Sequence, residues 1–155
     1  MSRNVSLDSP TPTEQFRWLF AIGREERFQT GMESHFSRTL LSLIDQHGES
    51  SFEILQELIF SPMVSIDVAA EACRWIGYIR NTESHTIRRK LLESVLLAAN
   101  SAFLRDDASL ALASMDDPAS IPVLQQAVER ETNSELRHDL QHVLDQLIET
   151  QQEQL

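Results

Sequence analysis

Two histidines one helical turn apart are the first residues in this sequence whose type and spacing suggest chemistry. His138 and His142 are four positions apart, so on a helix both imidazoles would lie on one face, with Glu135 one turn earlier. Imidazole and carboxylate groups at such spacing can bind Zn²⁺. However, the His-Glu-x-x-His motif is absent, and both histidines fall opposite the apolar stripe of their segment. The sequence therefore favours a polar exposed face, and no metal or cofactor is expected.

The single cysteine and the two tryptophans are the other side chains with possible chemical roles. Cys73 has no histidine beside it in sequence to lower its pKa, which favours a half-buried packing residue over a nucleophile. Trp75 falls at an apolar position, and Trp18 is expected to fill the N-terminal part of the core together with Phe16 and Phe20. We therefore expect no catalytic residue and no enzymatic activity.

The only basic run is Arg88-Arg89-Lys90, near the start of a segment with helical periodicity. Its simplest interpretation is a solvated helix face. A minor hypothesis is that the run docks an acidic partner.

The charge of the chain limits its partners. The net charge is −11, and residues 116–155 alone carry 9 acidic and 2 basic residues. Binding to a phosphate backbone needs positive charge over the contact surface, so nucleic acid is disfavoured. A protein partner with a basic patch is expected instead, and it would meet the acidic C-terminal half.

Length and cysteine usage predict a cytoplasmic domain. With 155 residues, the chain has the size of one domain that buries its own core. One cysteine cannot form an internal disulfide, which fits a reducing compartment. No apolar stretch approaches the roughly 20 residues of a membrane span, and residues 1–13 lack the apolar core of a signal peptide.

The periodicity of apolar residues predicts about eight helices after a flexible N-terminal tail over residues 1–10. A capping box from Thr11 to Glu14 opens the first helix, and Gly31 ends it. The second is predicted from Met32 to Gln46. A third opens with a second capping box at residues 50–53 and ends before residue 62. The remaining helices are predicted over residues 65–79, 82–99, 101–115, 118–131 and 134–151.

Three of these helices share one pattern. Segments of twelve residues beginning at Val68, Leu104 and Leu136 align without gaps, at spacings of 36 (68 to 104) and 32 (104 to 136) residues. Positions 1, 5, 8, 9 and 12 of each are apolar and form a stripe of about 100°. Another amphipathic helix precedes each segment. Because one such pair cannot bury both faces, the pairs must stack.

The repeats resemble the short HEAT-like repeats of the phycobilisome-lyase type. The motif that opens a first helix is Asp117-Pro118-x-x-Ile121-Pro122-x-Leu124. The motifs of the second helices are Leu136-Arg137-x-x-Leu140-x-x-Val143-Leu144 and Leu104-Arg105-x-x-Ala108-x-x-Ala111-Leu112-Ala113. The first repeat departs from this pattern, because it has Ala69 where arginine is expected. The resemblance covers about residues 50–148. It implies an all-α fold, an α-solenoid of stacked antiparallel helix pairs, as one domain over residues 11–155. Capping helices (11–48) would precede repeat units at 50–80, 82–115 and 117–150.

Second helices of stacked pairs usually line the binding surface. Three alignment positions point away from the apolar stripe: the third (Ala70, Asp106, His138), the seventh (Arg74, Leu110, His142) and the tenth (Gly77, Ala113, Asp145). No residue type recurs among them, which favours a tailored protein surface over a repeating ligand. The predicted partner-binding residues are Arg74, Asp106, Leu110, His138, His142 and Asp145.

The expected function is that of a non-enzymatic protein-binding module, such as an adaptor, regulator, immunity-type inhibitor or assembly chaperone. The resemblance implies an alternative, a bilin lyase or chromophore-handling protein. A structural homo-oligomer joined through the N-terminal cap is a third hypothesis, and the sequence leaves the oligomeric state open.

Overall fold

A computed structural model describes residues 9–155, and all regular secondary structure in that range is helical. The α-helices are α1 (Pro12–Ile22), α2 (His35–His47), α3 (Ser50–Phe60), α4 (Ile66–Tyr78), α5 (His85–Ala98), α6 (Ala102–Met115), α7 (Ile121–Arg130) and α8 (Ser134–Glu153). Two 3₁₀ turns lie at Gly23–Glu25 and Pro118–Ser120. The predicted tail falls mainly on residues 1–8, outside the described residues. No helix among the described residues is long and apolar enough to cross a membrane.

The capping box predicted at the start of α1 is confirmed. The Thr11 hydroxyl accepts from the Glu14 amide at 3.1 Å, and the Glu14 carboxylate accepts from the Thr11 amide at 2.8 Å. The bond from the Thr11 amide, followed by the one to its side chain, lowers the pKa of Glu14. The second predicted box, at the start of α3, is wrong. There Glu49 precedes the helix without a side-chain cap, and Ser50 is already helical, donating to the His47 carbonyl.

The first two helices are shorter than predicted. Helix α1 ends at Ile22 instead of continuing to Gly31, and α2 begins at His35 instead of Met32. After the first 3₁₀ turn the chain therefore crosses from one helix to the other without forming a helix, and Gly31 lies in this link with a φ of 78°.

Tertiary contacts explain this link. The Glu26 carboxylate accepts hydrogen bonds from the His35 amide at 2.8 Å and the Phe36 amide at 2.7 Å, two of the free N–H groups at the start of α2. A negative charge is also favourable at that end of the helix dipole. Gly23 packs so closely on α2 and α4 that a Cβ atom there would lie 2.9 Å from the Phe36 ring and 3.3 Å from Val68. The link thus folds back onto the helices that it connects.

The helices stack as pairs α3–α4, α5–α6 and α7–α8, with α1 and α2 against the N-terminal end, as an α-solenoid requires. The second helices form one parallel layer. Arg74 of α4 contacts Asp107 of α6, and Gln146 of α8 donates to the Ala113 carbonyl of α6 at 2.9 Å. Gly77 lets α4 and α6 approach closely, because a Cβ atom there would lie 2.8 Å from both the Cβ and the carbonyl oxygen of Ala111.

One apolar core runs from α1 to α8 and contains the predicted stripes. Trp18 does not belong to it: its side chain is 59% exposed, so its predicted place in the N-terminal core is wrong. Phe16, Leu19 and Phe20 are buried on one face of α1. Trp18 lies about 200° around the helix from Phe16, on the opposite face.

Candidate functional site

The six residues predicted to bind a partner all lie on the parallel layer formed by α4, α6 and α8. Two other outward positions of the first repeat were predicted incorrectly, because Ala70 and Gly77 are buried. Helix α4 packs against α2 and the first 3₁₀ turn as well as against α3, α5 and α6, so its buried arc is wider than the apolar stripe of its sequence. The exposed part of the layer is therefore centred on α6 and α8.

Arg74 is held inside the structure by two carboxylates. Its Nε donates to Glu71 at 3.0 Å and its Nη1 donates to Asp107 at 2.6 Å, and its side chain is only 13% exposed. Glu71 is almost fully buried and also accepts from the Trp75 indole at 2.9 Å. This network joins α4 to α6, so the charge of Arg74 is already paired. A glutamate three residues before an arginine in an apolar segment was the sequence signal for it.

A row of three α6 residues, Phe103, Asp106 and Leu110, forms the most distinctive part of the exposed layer. The phenyl ring is 51% exposed and the leucine 47% exposed, and the aspartate lies between them on the same face. The Asp106 Oδ1 is buried without a hydrogen-bond partner among residues 9–155. Burial, followed by the neighbouring charges of Asp139 and Asp107, raises the pKa of Asp106. Its negative charge is therefore poorly compensated.

Helix α8 adds a polar row beside this one. His138, His142 and Asp145 are exposed, as predicted, and the Nε2 atoms of the two histidines lie 3.0 Å apart. Asp145 accepts from Gln141 at 2.9 Å. No group of three or more potential metal ligands occurs in the described part of the chain. Further exposed carboxylates on this helix belong to Glu135, Asp139, Glu149 and Glu153.

Arg88, the first residue of the basic run, is not on a solvated face. Its side chain is 1% exposed and ends among neutral acceptors. The guanidinium donates to the Ile76 carbonyl at 3.0 Å, to the Asn81 carbonyl at 2.8 Å and to the Ser84 hydroxyl at 2.8 Å. The Ile76 carbonyl belongs to the last turn of α4, where no intrahelical donor remains. Arg88 therefore caps α4 from the following helix.

The next residue of the run is also engaged. Arg89 donates to Glu93 at 2.8 Å, and its Nε lies 3.4 Å from Asp117, which also contacts the His85 ring at 2.7 Å. Only Lys90 is exposed. Among the described residues, two of the three cations of the run are therefore engaged, so the interpretation as a solvated face is wrong and the docking hypothesis loses its support.

The arginines at the second position of the repeats also have structural roles. Arg105 donates to the Ala99 carbonyl at 2.9 Å, and Arg137 donates to the equivalent carbonyl of Glu131 at 3.1 Å. Arg105 also forms two bonds, of 2.9 and 3.0 Å, with the Glu131 carboxylate. These bonds lower the pKa of Glu131. They tie one repeat to the next, whereas Ala69 of the first repeat is simply buried.

Cys73 is fully buried, more deeply than the half-buried position expected from the sequence. Burial in apolar surroundings raises the pKa of its thiol, which keeps the thiol neutral. The residue packs between helices of the core.

Comparison with known proteins agrees with this architecture. A family model described as HEAT repeats matches residues 48–145, which is more than half of the chain. Neither the curated proteins nor the solved structures contain a significant match. HEAT repeats generally serve as scaffolds for protein interactions, through the extended surface that stacked pairs create. The repeated helix pairs and the arginines that join them agree with the matching family model, and this chain therefore belongs to the HEAT repeat family.

Proposed function

We propose that this protein is a non-enzymatic binding module whose partner is a protein segment with apolar anchors and with basic side chains between and around them. The proposed surface is the exposed layer of α6 and α8, with Phe103, Asp106 and Leu110 at its centre. An adaptor, a regulator, an immunity-type inhibitor or an assembly chaperone would each use such a surface.

The single observation that carries the proposal is the α6 row. Two large apolar side chains are exposed seven residues apart, which corresponds to about 10 Å along a helix. Between them lies the carboxylate of Asp106, which forms no ion pair with any of the described residues. A partner that covers Phe103 and Leu110 would remove apolar surface from water, and a lysine or arginine placed between its own anchors would pair with Asp106.

The surroundings of the row support a basic partner. Asp139, Asp145 and Glu149 are exposed on the neighbouring helix α8, where His138 and His142 also lie. A surface with apolar anchors at its centre and charges around them is typical of protein interfaces. Acidic rims increase the association rate of cationic partners, and salt screens this effect.

The proposal excludes catalysis because the candidate groups are engaged elsewhere. The thiol of Cys73 is buried, and Glu71, Arg74, Arg88 and Glu131 are bound within or between helices. Arg74, Arg88 and Glu131 each line a surface pocket, but their hydrogen bonds to neighbouring residues already engage them.

An affinity experiment with matched baits tests the proposal. The parent protein, Leu110→Asp and Met63→Asp would each be immobilised and exposed to lysate of the native host at low and physiological salt. Met63 is 85% exposed between α3 and α4, far along the chain from the α6 row, so its variant controls for an added surface charge.

We expect a protein that is captured stoichiometrically by the parent and by Met63→Asp, lost with Leu110→Asp, and weakened by salt. Equal capture by Leu110→Asp and Met63→Asp would show that the α6 row is not the binding surface. A coloured eluate with no bound protein would instead support the chromophore-handling alternative.

A further inference from the structure

The two exposed histidines of α8 place their ring nitrogens close enough to share a ligand. The Nε2 atoms of His138 and His142 lie 3.0 Å apart, with ring centroids 4.5 Å apart and ring planes at 81°. Each Nε2 has only the other ring as a hydrogen-bond partner within the described part of the chain. Two neutral imidazoles in this arrangement share one N–H proton, and a metal ion can take the place of that proton.

From this geometry we propose that His138 and His142 form an open, bidentate site for a divalent transition-metal ion. The separation of the nitrogens sets the angle at the metal. With metal–nitrogen bonds of about 2.05 Å, nitrogens 3.0 Å apart subtend roughly 95° at the ion. That angle matches the 90° of tetragonal Cu²⁺ and Ni²⁺ complexes better than the 109° of tetrahedral Zn²⁺.

The chemistry of the ligands narrows the choice of ion further. Imidazole favours Cu²⁺, Ni²⁺ and Zn²⁺ over the oxygen-seeking ions Mg²⁺ and Ca²⁺, and Cu²⁺ stands highest in the general affinity order. The exposed carboxylates of Glu135, Asp139 and Asp145 on the same helix attract cations to this surface. The site is therefore expected to bind Cu²⁺ most tightly, followed by Ni²⁺.

The site is open because the described residues supply only two ligands to it. The remaining coordination positions of the ion would face solvent on the same layer as Leu110 and Asp106. If the proposed partner binds there, a histidine, cysteine or carboxylate from it would complete the coordination. The metal site itself does not depend on the proposed function, because its test requires no partner.

Calorimetric titration of the full chain, free of any histidine tag, with CuCl₂, NiCl₂, ZnCl₂ and MgCl₂ tests the site. The variants are His138→Ala, His142→Ala and, as the matched control, His35→Ala, since His35 is also exposed but lies on α2. Far-UV circular dichroism verifies that each variant is folded. Electron paramagnetic resonance of the Cu²⁺ complex reports the number of bound nitrogens.

We expect one Cu²⁺ per chain with two coordinated nitrogens, tighter binding of Cu²⁺ than of Ni²⁺ or Zn²⁺, and no binding of Mg²⁺. Either α8 substitution should weaken Cu²⁺ binding at least about tenfold, whereas His35→Ala should leave it unchanged. The proposal is overturned if Cu²⁺ does not bind, if His138→Ala and His142→Ala bind it like the parent, or if His35→Ala weakens it equally.

Discussion

Replacement of Arg88 by methionine is the most direct test of how the repeats are joined. The side chain is buried, and its guanidinium has no carboxylate partner among residues 9–155. Its three acceptors are the Ile76 carbonyl, the Asn81 carbonyl and the Ser84 hydroxyl. Methionine retains much of the aliphatic packing but donates no hydrogen bond, so the substitution isolates the loss of these bonds.

The expected cost follows from the groups left without a partner. An unsatisfied buried acceptor costs about 1–3 kcal/mol, and the substitution removes the donor from the buried Ile76 carbonyl. The Asn81 carbonyl belongs to an exposed residue and keeps the bond from the Ser84 hydroxyl at 3.4 Å, so its loss costs less. Removal of the buried cation also removes its own desolvation cost, which offsets part of this loss. We therefore expect the free energy of unfolding to fall by about 2 kcal/mol. For a chain of this size, that corresponds to a decrease in Tm of about 4–8 °C.

Urea and thermal denaturation followed by far-UV circular dichroism would measure the effect. Lys90→Met is the matched control, because Lys90 belongs to the same basic run but is exposed, and its unfolding free energy should change by less than about 0.5 kcal/mol. Arg88→Lys should restore only part of the stability, since one ammonium group cannot reproduce the planar fork of donors. If Arg88→Met and Lys90→Met were equally stable, the capping role of Arg88 would be refuted.

Three further substitutions test the packing and the charges. Gly77→Ala should lower the unfolding free energy by about 1–3 kcal/mol in urea denaturation, because the added Cβ would meet Ala111 at 2.8 Å. This loss is expected despite the better helix propensity of alanine. Unchanged or higher stability would contradict the close approach of α4 and α6. Arg105 lowers the pKa of Glu131 below its ordinary value of about 4.5. The stability that the charged carboxylate contributes is therefore fully present above about pH 4.5, and it is lost as the pH falls through the lowered pKa. The stability difference between the parent and Glu131→Gln should therefore narrow in denaturation series below that pH, and a constant difference would argue against the ion pair. Asp106 has a raised pKa, so its charged form destabilises the fold as the pH rises. Asp106→Asn should therefore be more stable than the parent at pH 7 and should lose this advantage in acid. A variant that is less stable than the parent at pH 7 would show that the carboxylate is compensated.

Much of the fold was predictable because it depends on local patterns. The apolar stripes of the three aligned segments predicted α4, α6 and α8, and short links with proline or cap residues predicted most helix ends. The repeat itself predicted stacking, since a helix pair with two apolar faces requires neighbours. The same periodicity placed Leu110, His138, His142 and Asp145 on the exposed side, where the structure has them.

Several of the errors share one physical cause, which is that contacts between different segments decided the outcome. The link after α1 is non-helical because Glu26 caps α2 and Gly23 packs against Phe36, although its local sequence allowed a longer helix. Ala70 and Gly77 are buried because α4 packs against α2 and the first 3₁₀ turn as well as against α6.

The sequence by itself determined the helices, the repeat, the excess of negative charge and the polar face of α8, because each of these depends on residue type and on spacing within a segment. The tertiary structure alone decided which charges are free. Arg88 and Arg89 are adjacent in a basic run, yet one is buried against carbonyls and the other is paired with Glu93, because stacking brings a helix end and a carboxylate to them. Asp106 and Asp107 are likewise adjacent, but only Asp107 meets an arginine. Charge pairing depends on the few ångströms between side chains of different helices, which spacing along the chain does not specify.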